Sequence, residues 1–236
     1  MSAEQLPFLV GFVVMALASL AIYLHGDKRQ EFRHHAQFHS VVPFIAATAY
    51  LAMWLGTGTI DGPDGAPVYL ARYADWATTT PILLAGLILT GLHEHPRHST
   101  YILPAIVLDV IMIATGLAAA LSADETAKWV WFGWSCAAFA GVLFMLWGPV
   151  RAIGDRLGGR LEQVYRGNLV FLTAVWLVYP LVFALGPEGL GVIAIGLENW
   201  AVLVLDVTAK VVYGFVATAR FKTVPADEEG SVVAGA

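Results

Sequence analysis

Charge is scarce in this chain and cysteine is nearly absent. Only 13% of its 236 residues are Asp, Glu, Lys or Arg, against about 25% in a soluble globular domain. With 58% hydrophobic residues and a mean hydropathy of +0.69, the chain lacks the polar surface that a water-soluble fold needs. The single cysteine, Cys136, excludes an intramolecular disulfide and reads as a small hydrophobe within an apolar run. No internal repeat and no second domain are visible. His93, His95 and His98 with Glu94 make a titratable run, but they lack a compact ligand set, so no metal is expected. No basic residue precedes the first apolar run and no small-residue cleavage site follows it. That run is therefore expected to stay in place as a spanning helix and not to be removed as a signal. The net charge of −5 says little, because the charges are segregated by loop, and no nucleic-acid partner is expected.

What the chain does have is long apolar runs. Seven can be drawn, at 6–25, 36–56, 70–92, 100–122, 127–149, 166–186 and 191–219. Each is long enough to cross about 30 Å of hydrocarbon as a helix. The connections are short, which predicts an all-α, up-and-down bundle of seven transmembrane helices over residues 1–222. The tail, 223–236, is acidic and then rich in small residues, and is expected to be disordered. Basic residues fix the expected orientation. Lys28, Arg29, Arg33, Arg97, Arg151, Arg156, Arg160, Arg166, Arg220 and Lys222 fall on one side, against Lys128 and a helix-entrance Arg72 on the other. The rich side is expected to be cytoplasmic, with the N-terminus outside, in a multi-pass protein of the cell's plasma (inner) membrane.

Against that background Lys210 stands out, in the middle of the last apolar run and one turn after Asp206. An ionised lysine at that depth is costly and marks a functional site by default. A carboxylate at i−4 shares its helix face. The pair reads either as a structural ion pair or as a neutralised lysine amine whose free form attacks aldehydes. Helix three adds Arg72, Asp75, Thr79 and Thr80 on one face of its outer half. Pro81 follows, and Thr78 to Thr80 are placed to satisfy the carbonyl it frees. Lys210 and Arg72 against Asp75 and Asp206 would make four buried charges that sum to zero. Glu188 and Glu198 lie further out, as coupled acids at the mouth or as solvated loop residues. Aromatics gather at the same depth: Trp76, then Trp176, Tyr179 and Phe183 at i, i+3 and i+7 beside Pro180, then Trp131, Phe132 and Phe139. These are ordinary core packing or the walls of a flat apolar site.

Three motifs together resemble the microbial (type 1) rhodopsins, specifically the bacteriorhodopsin-like proton pumps. They are Arg72-Tyr73-Ala74-Asp75-Trp76 with Thr79-Thr80-Pro81, then Trp176-x-x-Tyr179-Pro180, and Leu205-Asp206-Val207-Thr208-Ala209-Lys210. The resemblance covers nearly the whole chain. It implies all-trans-retinal on Lys210 as a protonated Schiff base, and a light-driven outward proton pump rather than an enzyme. In that scheme Asp75 is primary counterion and proton acceptor, Asp206 the second counterion and Arg72 the gate. Glu188 and Glu198 form the proton-release group. Tyr50 and Tyr179 hydrogen-bond the inner aspartate. Trp76, Thr80, Leu83 and Met112 match retinal-pocket positions, as do Gly116, Ser135, Phe139, Trp176 and Phe183. Asp109 matches a buried acid bonded to Thr80. Leu83 resembles the residue of green-absorbing members, and Phe132 stands where carotenoid-antenna members carry glycine. Family members form trimers and pentamers, so a homo-oligomer is expected in the lipid bilayer, with protons and internal waters as the other partners.

The chain departs from the archetype at one place. The ion-selecting triplet falls on Asp75, Thr79 and Gly86, and glycine cannot carry the proton that a donor carboxylate would. The pattern resembles the bacterial Asp-Thr-Gly group. His39, one turn before Pro43, is a candidate cytoplasmic relay, because histidine titrates near neutrality. An inert interfacial histidine is the alternative. Two other functions stay open at this point: a sensory photoreceptor with a slow photocycle, and a transporter or intramembrane enzyme using Lys210 without pigment.

Overall fold

The structure is a computed structural model that describes residues 5–26, 29, 33–63, 65–92 and 100–225, without the side chains of Arg33 and His34. Its helices are α1 (Leu6–His25), α2 (Arg33–Trp54), α3 (Leu70–Gly91), α4 (Ile102–Ala120), α5 (Glu125–Met145), α6 (Arg151–Gly154), α7 (Gly159–Trp176), α8 (Tyr179–Leu185), α9 (Ile195–Asp206) and α10 (Tyr213–Phe221). A π-helical stretch, Leu146–Val150, joins α5 to α6, and another, Val207–Val212, joins α9 to α10. The result is a seven-span bundle. Six of the spans are apolar enough throughout to cross a membrane, the last three running Glu125–Gly154, Gly159–Leu185 and Ile195–Phe221. The seventh, α3, has 22 residues and carries Arg72, Asp75 and four threonines, which lower its hydropathy. At 1.5 Å per residue it is still long enough to cross.

Neighbours in sequence pack against each other from α1 to α5. The last span closes the ring against α1, α2 and α7. A short antiparallel hairpin, β1 (Thr59–Asp61) with β2 (Pro67–Tyr69), lies between α2 and α3, with Ile60 opposite Val68. The larger apolar core joins Leu84, Leu87 and Ile88 of α3 to Val142, Leu146, Leu169, Tyr213 and Ala217. It fills the half of the bundle that faces the basic loops. The ionisable residues of α3 and α9 lie in the opposite half, so apolar packing seals one end while the polar network occupies the other.

Three boundaries differ from expectation for physical reasons. The sixth span begins at Gly159 rather than 166, because the polar turn Arg160-Leu161-Glu162-Gln163 is helical. Arg166 pairs with Glu162 at 3.1 Å, and Gly158 at φ +70° ends the preceding turn. An apolar run cannot register a helix that continues past the hydrocarbon. The same span is not one continuous face: Pro180 has no N–H to give the Trp176 carbonyl, and the helix breaks at Leu177–Val178. Finally, the packed chain passes the expected boundary at 222. Val224 is buried with Phe221, Leu161 and Val164, and Arg29 donates to the carbonyls of Phe221 and Val224 at 2.7 and 2.8 Å. The rest of the tail, 226–236, and the run His93 to His98 with Lys28 and Arg97 lie outside the described residues.

Candidate functional site

Lys210 lies in the π-helical stretch Val207–Val212, 2% exposed, with its amine between two carboxylates. Nζ donates to Asp75 Oδ2 at 2.5 Å and to Asp206 Oδ1 at 2.9 Å. Widened turns of this kind recur at functional sites because they re-aim one side chain. The two aspartates differ in company. Asp206 also accepts from Tyr50 at 2.8 Å, Tyr179 at 2.8 Å and the Trp76 indole N–H at 3.2 Å. The Asp75 carboxylate has Lys210 on one oxygen, and its other oxygen is buried with no hydrogen-bond partner among the described residues. Thr79 donates to the Asp75 backbone carbonyl at 2.8 Å.

The threonines before Pro81 correct one expectation. Their hydroxyls turn back to the carbonyls of Ala74, Asp75 and Trp76, and none reaches Ala77, whose carbonyl Pro81 leaves without its helical N–H. The Thr80 hydroxyl also shares a hydrogen bond with an Asp109 carboxyl oxygen at 2.6 Å, tying α3 to α4.

Arg72 corrects another. It does not join Asp75 in a neutral set of four. Its guanidinium points away, to Asn199 Oδ1 at 2.7 Å and Glu198 Oε1 at 3.5 Å, and lies over the Tyr69 ring at 4.8 Å. A long side chain on a helix can turn either way along its face, and here Glu198 and Asn199 of the last span win it. Glu198 is buried, and Glu188 accepts from Tyr73 at 2.9 Å, so neither is a freely solvated loop acid. Burial pushes the Glu188 carboxyl above its ordinary range, against the opposing pull of Arg72 and the Tyr73 bond.

A cleft of about 990 Å³, its open mouth included, starts at Lys210. Trp76, Thr80, Leu83, Asp109, Met112, Gly116, Ser135, Phe139, Trp176, Tyr179 and Phe183 line it. Phe132 stacks on Phe183 at 5.0 Å and closes that flank. Of the expected pocket residues only Tyr50 is off the wall, behind Asp206. Cys136, read as core packing, is on the wall with Ile113, Val202 and Ala209. These small apolar residues carry no signal in sequence beyond their helix face. Tyr69, Tyr73 and Asn199 were also missed as network members, although Tyr69 and Tyr73 stand at i, i+4 around Arg72.

On the other side of Lys210 the buried polar residues, His39, Thr90, Asn168 and Thr218 among them, include no carboxylate among the described residues. Gly86 is buried, and a Cβ added there would meet nothing within 4 Å. His39 is 3% exposed and edge-on to Tyr213 at 5.2 Å, with no side-chain hydrogen bond to the Lys210 cluster among the described residues.

A sequence profile described as bacteriorhodopsin-like protein matches residues 2–224. The chain belongs to the bacteriorhodopsin-like family. It is 35% identical to archaerhodopsin-2 of Halobacterium sp. (strain aus-2) over 215 residues, 88% of this chain and 81% of that protein. It is 37% identical to bacteriorhodopsin-I of Haloarcula marismortui over 186 residues, 75% and 72% of the two chains. Among solved structures, the thermophilic rhodopsin from Rubrobacter xylanophilus superposes with a TM-score of 0.87 at 35% identity, covering 93% of this chain and 96% of that one. The light-driven proton pump of Coccomyxa subellipsoidea superposes at 0.83 and 32% identity, covering 93% and 97%. This bacteriorhodopsin-like chain is a multi-pass membrane protein, and its family is that of retinal chromophores.

Proposed function

We propose that this chain is a light-driven outward proton pump, a transporter and not an enzyme, carrying all-trans-retinal on Lys210 as a protonated Schiff base. The observation that carries the proposal is a buried lysine amine, ion-paired to two carboxylates, at the end of an aromatic cleft. The cleft fits the group. It is mostly apolar, glycine at 116 adds no side chain to its wall, and the Lys210 amine lines it and can bond an aldehyde. When bound, retinal supplies a light-driven isomerisation that displaces charge at the Lys210 nitrogen.

The residues do the rest. Asp75 takes the proton from Lys210 Nζ, because Asp206 already spends its lone pairs on Tyr50, Tyr179 and Trp76 whereas Asp75 has an oxygen to spare. Arg72 answers the change in charge, and Glu198 with Glu188 releases a proton outside. The return proton comes from the side of the basic loops, which we take as cytoplasmic. Gly86 offers no carboxylate there, and His39 is the candidate relay. The Asp75, Thr79, Gly86 set is that of the Asp-Thr-Gly group.

The test is illumination of cells expressing the protein with added all-trans-retinal. Acidification of unbuffered medium, abolished by a protonophore, is expected, and Lys210→Ala should lose both the visible band and the acidification. A band that survives Lys210→Ala refutes the linkage. The missing donor at Gly86 also suits a sensory photoreceptor with a slow cycle. A visible band without sustained acidification would favour that alternative.

A further inference from the structure

Arg72 is 3% exposed and its position rests on few contacts. Its separation from Glu198, 3.5 Å, is an ion-pair distance at the outer limit of a hydrogen bond. Its Nε has no partner among the described residues. The one short bond is Nη2 to Asn199 Oδ1 at 2.7 Å, and Asn199 is itself 1% exposed. The amide of Asn199 cannot flip without loss, because its Nδ2 donates to Tyr69 Oη at 3.2 Å. The ring of that same Tyr69 lies beneath the guanidinium at 4.8 Å. Asn199 and Tyr69 thus close a loop around the cation from α9 and from the entrance of α3.

We infer that Asn199 is a positioning residue that, oriented by Tyr69, holds Arg72 beside the outer acids. Its chemistry suits the task. An amide oxygen accepts from a guanidinium whatever the protonation state of its neighbours, and charge-assisted bonds of this length are the strong ones. Glu198 and Glu188 must change protonation if they release protons, so an anchor made only of them would loosen at each turnover. A neutral anchor keeps the cation outward while they titrate, and away from Asp75, which shares its helix face one turn on. The kinetic consequence rests on the pump reading, whereas the structural one does not.

The experiment compares wild type, Asn199→Leu, Tyr69→Phe and the double variant, each reconstituted with all-trans-retinal. A pH-sensitive dye follows proton release and uptake after a flash. Asn199→Leu should keep its visible band but release its proton about tenfold later, after uptake. Tyr69→Phe, which keeps the ring and is the gentler change, should move release in the same direction. Because the two residues act as one clamp, the double variant should be no slower than Asn199→Leu. Wild-type timing in Asn199→Leu overturns the inference, as does full additivity in the double variant. If wild type releases no proton in light, the pump reading fails by itself. The clamp is then judged from solved structures of wild type and Asn199→Leu: a guanidinium displaced toward Asp75 supports it, and an unmoved one overturns it.

Discussion

Lys210 forms ion pairs with two carboxylates, and hydrogen-bond inventory separates them. Beyond the lysine that both share, Asp206 is held by two tyrosines and a tryptophan, whereas one Asp75 oxygen has no hydrogen-bond partner among the described residues. That asymmetry assigns the mobile proton to Asp75 under the proposed function. At the other face of the lysine the decisive residue is Gly86, with open space where a side chain would begin. If protons arrive there from bulk water, the slowest phase of the photocycle lengthens as pH rises, in proportion to the falling proton concentration. Gly86→Asp places a carboxylate in that space and should shorten this phase and flatten its pH dependence. Flash photolysis from acid to alkaline pH measures both; a wild-type rate that stays flat would mean that an internal donor already exists, and an unchanged rate in His39→Ala would remove His39 from that role. Thr80 offers a test of packing rather than transport. Its 2.6 Å bond is the hydrogen bond seen for buried Asp109. Thr80→Val leaves the acid unsatisfied, at a cost of about 1–3 kcal/mol. Thermal bleaching of the visible band should then fall by several degrees.

Elements place these side chains, and some of the placing is done by residues with no chemistry. Gly11 on α1 faces Tyr50 on α2 so closely that a Cβ there would lie 2.3 Å from the ring. Tyr50 in turn holds Asp206. Gly11→Ala should therefore cost about 1–3 kcal/mol through overpacking. It should also shift the visible band, because a tyrosine pushed by the added methyl moves relative to the counterion it holds. A shift in stability with no change of colour would show that the strain is absorbed elsewhere. Nothing in the sequence marks Gly11, since close approach between helices is a property of the pair and not of either run. Other features were legible. Lys210 and Asp206 one turn apart follow from helix periodicity alone, and the seven spans follow from hydropathy. The nearness of Lys210 to Asp75 crosses the bundle: depth in the membrane grouped the two, and the family motifs alone singled Asp75 out as the partner. The direction of Arg72 was not legible, because a long side chain beside acids on two spans is steered by distances that only the fold sets. The helical polar turn at 159–165 escaped for a simpler reason, that hydropathy ends where the hydrocarbon does.

The whole molecule is asymmetric along its long axis. Buried ionisable residues crowd the half that opens at Glu188 and Glu198, and an apolar core fills the half that ends in arginines. A pump needs such a difference, since a proton that can leave by either end is not transported. The basic end is also where the chain is fastened. Arg29, beyond α1, donates to the carbonyls of Phe221 and Val224. Arg160, at the start of α7, donates to Thr223 at 2.8 Å, and Val224 is 4% exposed among Leu161, Val164 and Phe221. These contacts join the first, sixth and seventh spans through residues at the ends of the helices and just beyond them. A chain ending at Lys222 loses a buried valine, worth about 1.5–3 kcal/mol, and hydrogen bonds from two arginines. A chain ending at Pro225 keeps them all. The shorter protein should therefore lose its visible band at a lower temperature than the longer one, by several degrees, while the longer one bleaches like the full chain. Equal bleaching temperatures for the two truncations would show that the arginine contacts hold nothing the bundle needs.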